Sequence, residues 1–222
     1  MINLKIKNND SLTNKWRGNQ SGRSMIEMLG VLAIIGVLSV GGIAGYSKAM
    51  TKYRVNKTIE QITLIAGNIR TFFASQGNYA GLTFGDDTGM AIIKKAKLVP
   101  DEMWDSDKTS PQNVWGSNIS IDQDCRNETE CDKNLYRAFY FEYYGIPEEA
   151  CIELLSYDWS TVGVTCVYTD TDAKYGESVA KVPLSLQTAI DFCGNLDPES
   201  GYVRFVFDVD FDFISDGLHI YE

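Results

Sequence analysis

The stretch that decides the fold is residues 22–46, which read GRSMIEMLGVLAIIGVLSVGGIAGY. From Met28 to Tyr46 no residue carries a formal charge. At a helical rise of about 1.5 Å, this stretch reaches about 28 Å, close to the thickness of a hydrocarbon core. It is too rich in glycine for an ordinary signal peptide, and no Ala-x-Ala-type cleavage site follows it. We therefore predict one membrane-spanning helix that stays in the mature protein.

One ionisable residue, Glu27, lies at the start of this apolar block. A carboxylate inside a membrane is costly, so a partner is expected for it. The alternative is that the span begins after Glu27 and leaves its carboxylate among the lipid headgroups. Position alone does not separate these two interpretations.

The chain divides sharply by charge. Its net charge is −10, and the first 22 residues carry four Lys or Arg side chains against Asp10, which is +3, so the other 200 residues carry −13. The positive-inside rule holds the basic segment on the cytoplasmic side and sends the acidic part outward. An acidic exported part is a poor nucleic-acid binder, so no direct nucleic-acid partner is expected.

A second apolar stripe follows the first block at helical spacing. Its members are separated by steps of four and three: Val55, Ile59, Ile62, Ala66, Ile69 and Phe73. Gly77 is a natural helix stop, so one helix is predicted from about Ser24 to about Ser75. A coiled coil is the alternative, but the stripe has fewer than three heptads and lacks regular flanking charge pairs. A protein head is therefore expected to cover it.

Beyond Gly77 the sequence predicts a mixed head of short helices and strands. Helices are predicted at residues 89–98 with Thr88 as the cap, at residues 147–157 and at residues 185–192. Strands are predicted at residues 113–121, 136–144 and 162–168, which are rich in aromatic and β-branched side chains.

The clearest strand pattern is the last one, in which apolar and other residues alternate. One face carries Phe205, Phe207, Val209, Phe211 and Phe213, and the other carries Val206, Asp208, Asp210 and Asp212. A calcium loop starting at Asp208 would need glycine where Phe213 stands and glutamate where His219 stands. A solvated acidic strand face is the favoured interpretation, and no metal site is predicted.

The five cysteines all lie in the exported part: Cys125, Cys131, Cys151, Cys166 and Cys193. An oxidising compartment permits disulfides there, and one of five thiols must be left over. With no Cys-x-x-Cys pair and one histidine, the chain lacks the ligand set of a zinc site. Several pairings are open, and the sequence alone does not rank them.

Two other classes of function have weaker support. An exported enzyme would need a catalytic set, but His219 is the one imidazole and no serine lies in a Gly-x-Ser-x-Gly elbow. Neither an enzyme nor a cofactor is therefore predicted. A surface binding module would use exposed tyrosines within residues 136–144, although an aromatic run in a strand favours cross-strand packing.

The N-terminal pattern resembles the processing site of type IV prepilins: a basic leader ending in Gly22, four residues, Glu27 and an apolar helix. The resemblance implies that a dedicated membrane peptidase cleaves between Gly22 and Arg23 and methylates the new amino terminus on Arg23. Glu27 then becomes the fifth mature residue, where the family carries its glutamate. The family usually begins with a bulky apolar residue, where this chain has Arg23.

The resemblance extends into the head. The long leader, the turn at residues 77–79, the short helix before Pro100, the strand start at residues 113–116 and the two cysteines 151 and 193 look like type IVb pilins. The resemblance implies an α+β fold in which the first half of a long N-terminal helix is transmembrane. The antiparallel sheet of an α/β head would then pack on the second half of that helix.

Three domains follow from this organisation. Residues 1–22 are the predicted leader peptide, residues 23–76 the long helix with about 25–46 spanning the membrane, and residues 77–222 the globular head.

The family also implies a disulfide between Cys151 and Cys193. Cys125 and Cys131, six apart in a polar loop, form the second predicted pair. Cys166, between Thr165 and Val167 in a strand-like run, is then the remaining thiol and is predicted to be buried.

By this resemblance, the chain is a structural subunit of a type IV pilus filament, held in the inner membrane before assembly and extracellular afterwards. The implied partners are other copies of the chain, the prepilin peptidase, an inner-membrane assembly platform and its ATPase, an outer-membrane secretin, and membrane lipid before assembly. Glu27 would pair with the methylated amino terminus of a neighbour, unless Arg23 satisfies it within one chain. A minor pilin or a type II secretion pseudopilin shares every N-terminal feature and is the alternative.

Overall fold

The computed structural model describes residues 25–85, 87–107, 109–124, 136–170, 177–197, 200–208 and 219–221. It divides into two units, the first ending at Ser47 and the second beginning at Lys48. The predicted leader, including Gly22, and Arg23 lie outside the described residues, as do Cys125 and Cys131.

The long N-terminal helix is confirmed. Helix α1 spans Met25–Phe73, 49 residues, of which the first 23 belong to the first unit and the rest to the second. No proline interrupts this stretch, and its apolar half continues directly into the amphipathic half. Among the described residues, α1 is long and apolar enough to cross a membrane, by length and composition.

In the second unit, α1 buries the stripe that the sequence predicts. Ile59 is partly buried, and the other five members are buried: Val55, Ile62, Ala66, Ile69 and Phe73. Thr58, Gln61 and Ile65 lie on the same side and are buried as well. The helix ends shortly before Gly77, whose φ of 71° lies in the left-handed region that glycine adopts readily.

The head contains a six-stranded sheet and short helices. The strands are β1 (Ile119–Asp124), β2 (Ala138–Tyr144), β3 (Val164–Asp170), β4 (Glu177–Lys181), β5 (Tyr202–Phe207) and β6 (His219–Tyr221). The helices are α2 (Asp87–Lys95), a 3-10 turn (Asp101–Met103), α3 (Glu148–Leu155) and α4 (Leu186–Gly194).

The sheet order is β1-β2-β5-β3-β4-β6. The first five strands in this order pair antiparallel with one another, and β6 joins β4 in parallel. The antiparallel sheet is therefore confirmed, whereas β4 and the parallel β6 were not predicted. Aromatic residues dominate the core, where the rings of Phe139 and Phe207 stack with centroids 4.6 Å apart. Trp159 is fully buried and donates its indole N–H to the Leu154 carbonyl at 2.8 Å.

The predicted strand at residues 113–121 begins too early. The Asn113 side-chain oxygen accepts hydrogen bonds from the backbone N–H groups of Trp115 and Ser117, at 2.9 and 3.1 Å. This local turn, with Gly116 at φ 86°, replaces the strand conformation until β1 starts at Ile119. The strand-like composition of residues 113–116 is overridden by the asparagine side chain.

The predicted helix at residues 89–98 is displaced toward its N-terminus. Helix α2 begins at Asp87, which places a carboxylate in its first turn and Thr88 inside the helix instead of at its cap. It ends at Lys95, and Lys97 takes a φ of 51° before the chain turns away.

The last strand is shorter than predicted, and the face that was expected to be exposed to solvent is partly buried. β5 ends at Phe207, and Asp208 takes a φ of 64°, outside the extended region. Val206, assigned to the solvated face, is 1% exposed and packs with Ala138 and Cys166. The remainder of the predicted alternation, from Val209 to Phe213, lies outside the described residues.

The disulfide implied by the family is present. Cys151 in α3 and Cys193 in α4 are bonded, which ties together two helices separated by β3 and β4 in the chain. Cys166 on β3 is a buried free thiol, as predicted. Burial raises the pKa of this thiol to about 12, so it stays protonated and unreactive near neutral pH.

Candidate functional site

The most unusual surface in the first unit is the apolar part of α1. Its large apolar side chains have exposed fractions from 49% for Met28 to 82% for Met25. Adjacent positions are exposed together, such as Val31 with Leu32, and successive residues point about 100° apart around a helix. The apolar surface therefore covers every side of this part of α1. A helix that is apolar all round is stable in lipid or among other apolar helices, so this surface is the first candidate site.

Two further features belong to the same surface. Glu27 lies in the first turn of α1, where its carboxylate is favourably placed at the positive end of the helix. Five glycines, at positions 30, 36, 41, 42 and 45, have no atom within 4 Å of the place where a Cβ would lie. Their missing side chains leave room for another helix to approach closely.

A partly buried arginine cluster fixes the end of α1 to the rest of the head. Arg70 donates to both carboxylate oxygens of Asp208, at 2.8 and 3.2 Å, and to the carbonyl oxygens of Val162 and Gly163, at 2.6 and 3.3 Å. The Tyr79 hydroxyl donates to Asp208 at 2.7 Å, and burial together with this carboxylate raises the pKa of Tyr79. Gly163 has a φ of 82°, which glycine adopts readily, and a Cβ there would also meet the Arg70 guanidinium, so glycine is favoured at this position.

A second arginine lies on the outer face of the sheet. Arg204 donates from Nε and Nη2 to one carboxylate oxygen of Glu142, at 3.0 and 2.7 Å, and Tyr144 donates to the other at 2.8 Å. The Arg204 guanidinium also lies 4.4 Å from the Tyr140 ring centroid and 5.3 Å from that of Tyr202. Tyr140 and Tyr144, two of the tyrosines within residues 136–144, thus take part in this cluster around the ion pair.

Replacing Glu142 with glutamine is expected to lower the free energy of unfolding by about 3 kcal/mol, because a largely buried arginine loses its counter-charge. Urea unfolding followed by circular dichroism measures the change. Glu153→Gln is the matched control, since Glu153 pairs with an exposed Lys52 at 3.4 Å and should contribute less than about 1 kcal/mol. Equal losses in the two variants would contradict the role of burial at Glu142.

The sequence-predicted residues are placed as follows. Cys151 and Cys193 are brought together, and Glu27 lies on the exposed apolar helix. The Arg70 and Arg204 clusters were missed. A charged residue inside an apolar segment could have indicated these clusters. Arg70 lies beside the buried stripe, and Glu142 and Arg204 lie within aromatic strands.

No group of three or more His, Cys, Asp or Glu side chains in the described ranges is placed to hold a metal ion.

Comparison with known proteins identifies the class. The bundlin family model matches residues 47–207, most of the chain. The chain belongs to the bundlin family of type IV pilins. Sequence comparison with curated proteins gives no match.

Two solved structures resemble the chain at low identity. A type IVb pilin from Salmonella typhi has a TM-score of 0.48 and 13% identity, and the match covers 70% of this chain and 99% of that one. TcpA, a type IV pilin from Vibrio cholerae El Tor biotype, has a TM-score of 0.45 and 16% identity, with 69% and 98% covered. The family assignment rests on the family model.

Proposed function

We propose that the chain is the structural subunit of a type IVb-like pilus filament, anchored in the inner membrane by α1 and later assembled through the same helix. The observation that carries the proposal is the apolar surface of α1 between Met25 and Tyr46, exposed on every side of the helix. Lipid before assembly and neighbouring helices afterwards would cover this surface in turn. Membership of a family of structural subunits supports a role without catalysis.

The proposal includes maturation of the N-terminus. A prepilin peptidase removes residues 1–22 and methylates Arg23, which leaves the helix of residues 23–76 and the head of residues 77–222. The Glu27 carboxylate then pairs with the methylated amino terminus of a neighbour. An assembly platform and its ATPase extract the subunit from the membrane, and an outer-membrane secretin passes the extracellular filament.

Microscopy of sheared surface material tests the proposal directly. Negative staining should show fibres, and N-terminal sequencing of their main protein should begin at Arg23. Fibres in which this chain is a trace component would contradict the major-subunit role and identify a minor pilin instead. Absence of the chain from any fibre would overturn the proposed function.

Gly22→Leu is expected to block maturation, because the peptidase site ends in that glycine. The variant should keep its leader and remain in the membrane fraction, whereas the unaltered chain should have the mass of a protein that starts at Arg23 with one added methyl group. Gly18→Leu, a glycine replacement elsewhere in the leader, is the control and should be processed normally. A mature protein that begins at Met1, or beyond Tyr46, would contradict the processing site.

A further inference from the structure

A cavity of about 370 Å³ lies beside α1 in the second unit. Tyr53, Arg54 and Gln61 line it from the helix, and Glu102 and Trp104 line it from the segment that follows α2. We call it the Arg54 cavity. It has room for one or two side chains of a partner.

Gln61 leaves an unsatisfied acceptor at this cavity. The residue is 7% exposed, and its side-chain oxygen is buried without a hydrogen-bond partner among the described residues. A buried carbonyl oxygen without a donor destabilises the single chain. A partner that brings an N–H or O–H group would satisfy it.

The cavity also offers unused positive charge. Lys57 pairs with Glu102 at 3.2 Å and with Glu60 at 3.8 Å. Arg54 has no ion-pair partner among the residues that the structure describes. A carboxylate from outside would therefore find an available guanidinium here.

Charge complementarity points to a second copy of the same chain. Residues 48–57 hold four Lys or Arg and no acidic residue, whereas residues 61–222 hold 27 acidic against 11 basic residues, a net charge of −16. Each copy therefore carries one basic helical segment and an acidic head. Opposite surfaces of this kind attract one another between copies.

The start of α3 carries the groups that the Arg54 cavity could bind. Pro147, Glu148 and Glu149 are exposed, and both glutamates lack an ion-pair partner within the described ranges. Pro147 precedes the helix and provides no side-chain hydrogen bond to the first turn. This acidic corner thus presents carboxylates together with backbone N–H groups of a helix start.

The two surfaces lie on different sides of α1. Lys52 pairs with Glu153, which places α3 against the side of α1 that Lys52 faces. Arg54 follows two residues later and points about 200° around the helix from Lys52. Residues 147–149 therefore cannot reach the Arg54 cavity of their own copy.

We infer that residues 147–149 of a second copy dock at the mouth of the Arg54 cavity. One glutamate side chain enters the cavity and places its carboxylate on the Arg54 guanidinium, and the Gln61 side chain turns outward to accept a first-turn N–H. The inference rests on the proposed function and names the head contact within the filament. Because the two surfaces differ, the contact is heterologous, and each added copy leaves one surface of each kind open. Repetition extends a fibre instead of closing a pair.

Charge reversal in the full-length chain tests the contact through the yield of sheared fibres. Arg54→Glu and the double change Glu148→Lys with Glu149→Lys should each reduce the yield at least about tenfold, because like charges then meet. Combining all three changes should restore most of the yield. Lys95→Glu, the same charge change at an exposed position outside the cavity, is the control and should assemble normally.

The Gln61→Leu variant distinguishes an effect on the contact between copies from an effect on folding. Removing an unpaired buried oxygen should leave the melting temperature unchanged or raised, while fibre yield falls severalfold because a bond to the neighbour is lost. A fall in the melting temperature together with unchanged yield would overturn the role of Gln61.

The outcomes distinguish the contact from the filament function. Normal fibres from Arg54→Glu, or single losses without rescue in the combined variant, would overturn the contact and leave the filament function standing. Absence of fibres from the unaltered chain would overturn the proposed function and the contact with it.

Discussion

Alanine at position 27 is expected to abolish fibres while the protein remains processed and folded. In the proposed bundle, the Glu27 carboxylate faces the methylated amino terminus of a neighbour among apolar helices. Removing one partner of a buried pair leaves the other charge uncompensated, at about 3 kcal/mol per contact, which is more than about a hundredfold in association. Fibre yield measures the loss, and intact mass and circular dichroism verify processing and fold.

Glu60→Ala provides the control for this experiment. Glu60 is a carboxylate on the same helix, its side chain is 72% exposed, and its ion pair with Lys57 is long at 3.8 Å. Its removal should leave fibre yield within about twofold, as expected for a surface pair. Normal assembly of the Glu27→Ala variant would contradict the charge pair between subunits and favour pairing of Glu27 with Arg23 within one chain.

Loss of the disulfide is expected to have the largest effect on the head. Cys151 and Cys193 are separated by 42 positions. Breaking a crosslink that closes a loop of this length stabilises the unfolded chain by about 4 kcal/mol, because its conformational entropy increases. That is a large share of the stability of a typical domain. Cys193→Ser should therefore lower the free energy of unfolding by about 4 kcal/mol, measured by urea unfolding without reductant.

Cys166→Ser is the matched control because Cys166 is buried but unpaired. It should lower the free energy of unfolding by about 1 to 2 kcal/mol, the usual effect of a hydroxyl at a small buried site. Limited proteolysis should cut the Cys193→Ser variant between residues 151 and 193 and spare the control. An equal loss of stability in both variants would show that the crosslink contributes little.

The long helix and its buried stripe could be predicted because their signals are local. Ile62 and Ile69 lie seven residues apart on one side of one helix, and the helical period alone reveals this. Glu148 and Leu186 likewise start helices just after Pro147 and Ser185, residues that favour helix starts.

The ends of strands and the arginine clusters depend on partners distant in sequence. Arg70 and Asp208 are separated by 138 positions, and no period or motif links them. The Asp208 alternation with the phenylalanines favoured a continuing strand, but its carboxylate is held by Arg70 and Tyr79. The apolar pattern alone does not reveal that Gln61 is buried, because the pattern contains only apolar residues, whereas the polar Gln61 lies next to Ile62 on the buried side of the helix.

The outer edge of β1 has a consequence for the kind of fibre that the proposed filament subunit can build. The backbone N–H of Ile119 donates to Pro111 at 2.9 Å, and that of Gln123 donates to Leu82 at 2.7 Å, so loops of the same chain occupy both ends of this edge. An edge blocked in this way does not extend into a neighbouring sheet. Through this edge, therefore, the proposed filament cannot grow as a cross-β fibril does, with backbone hydrogen bonds that run from chain to chain.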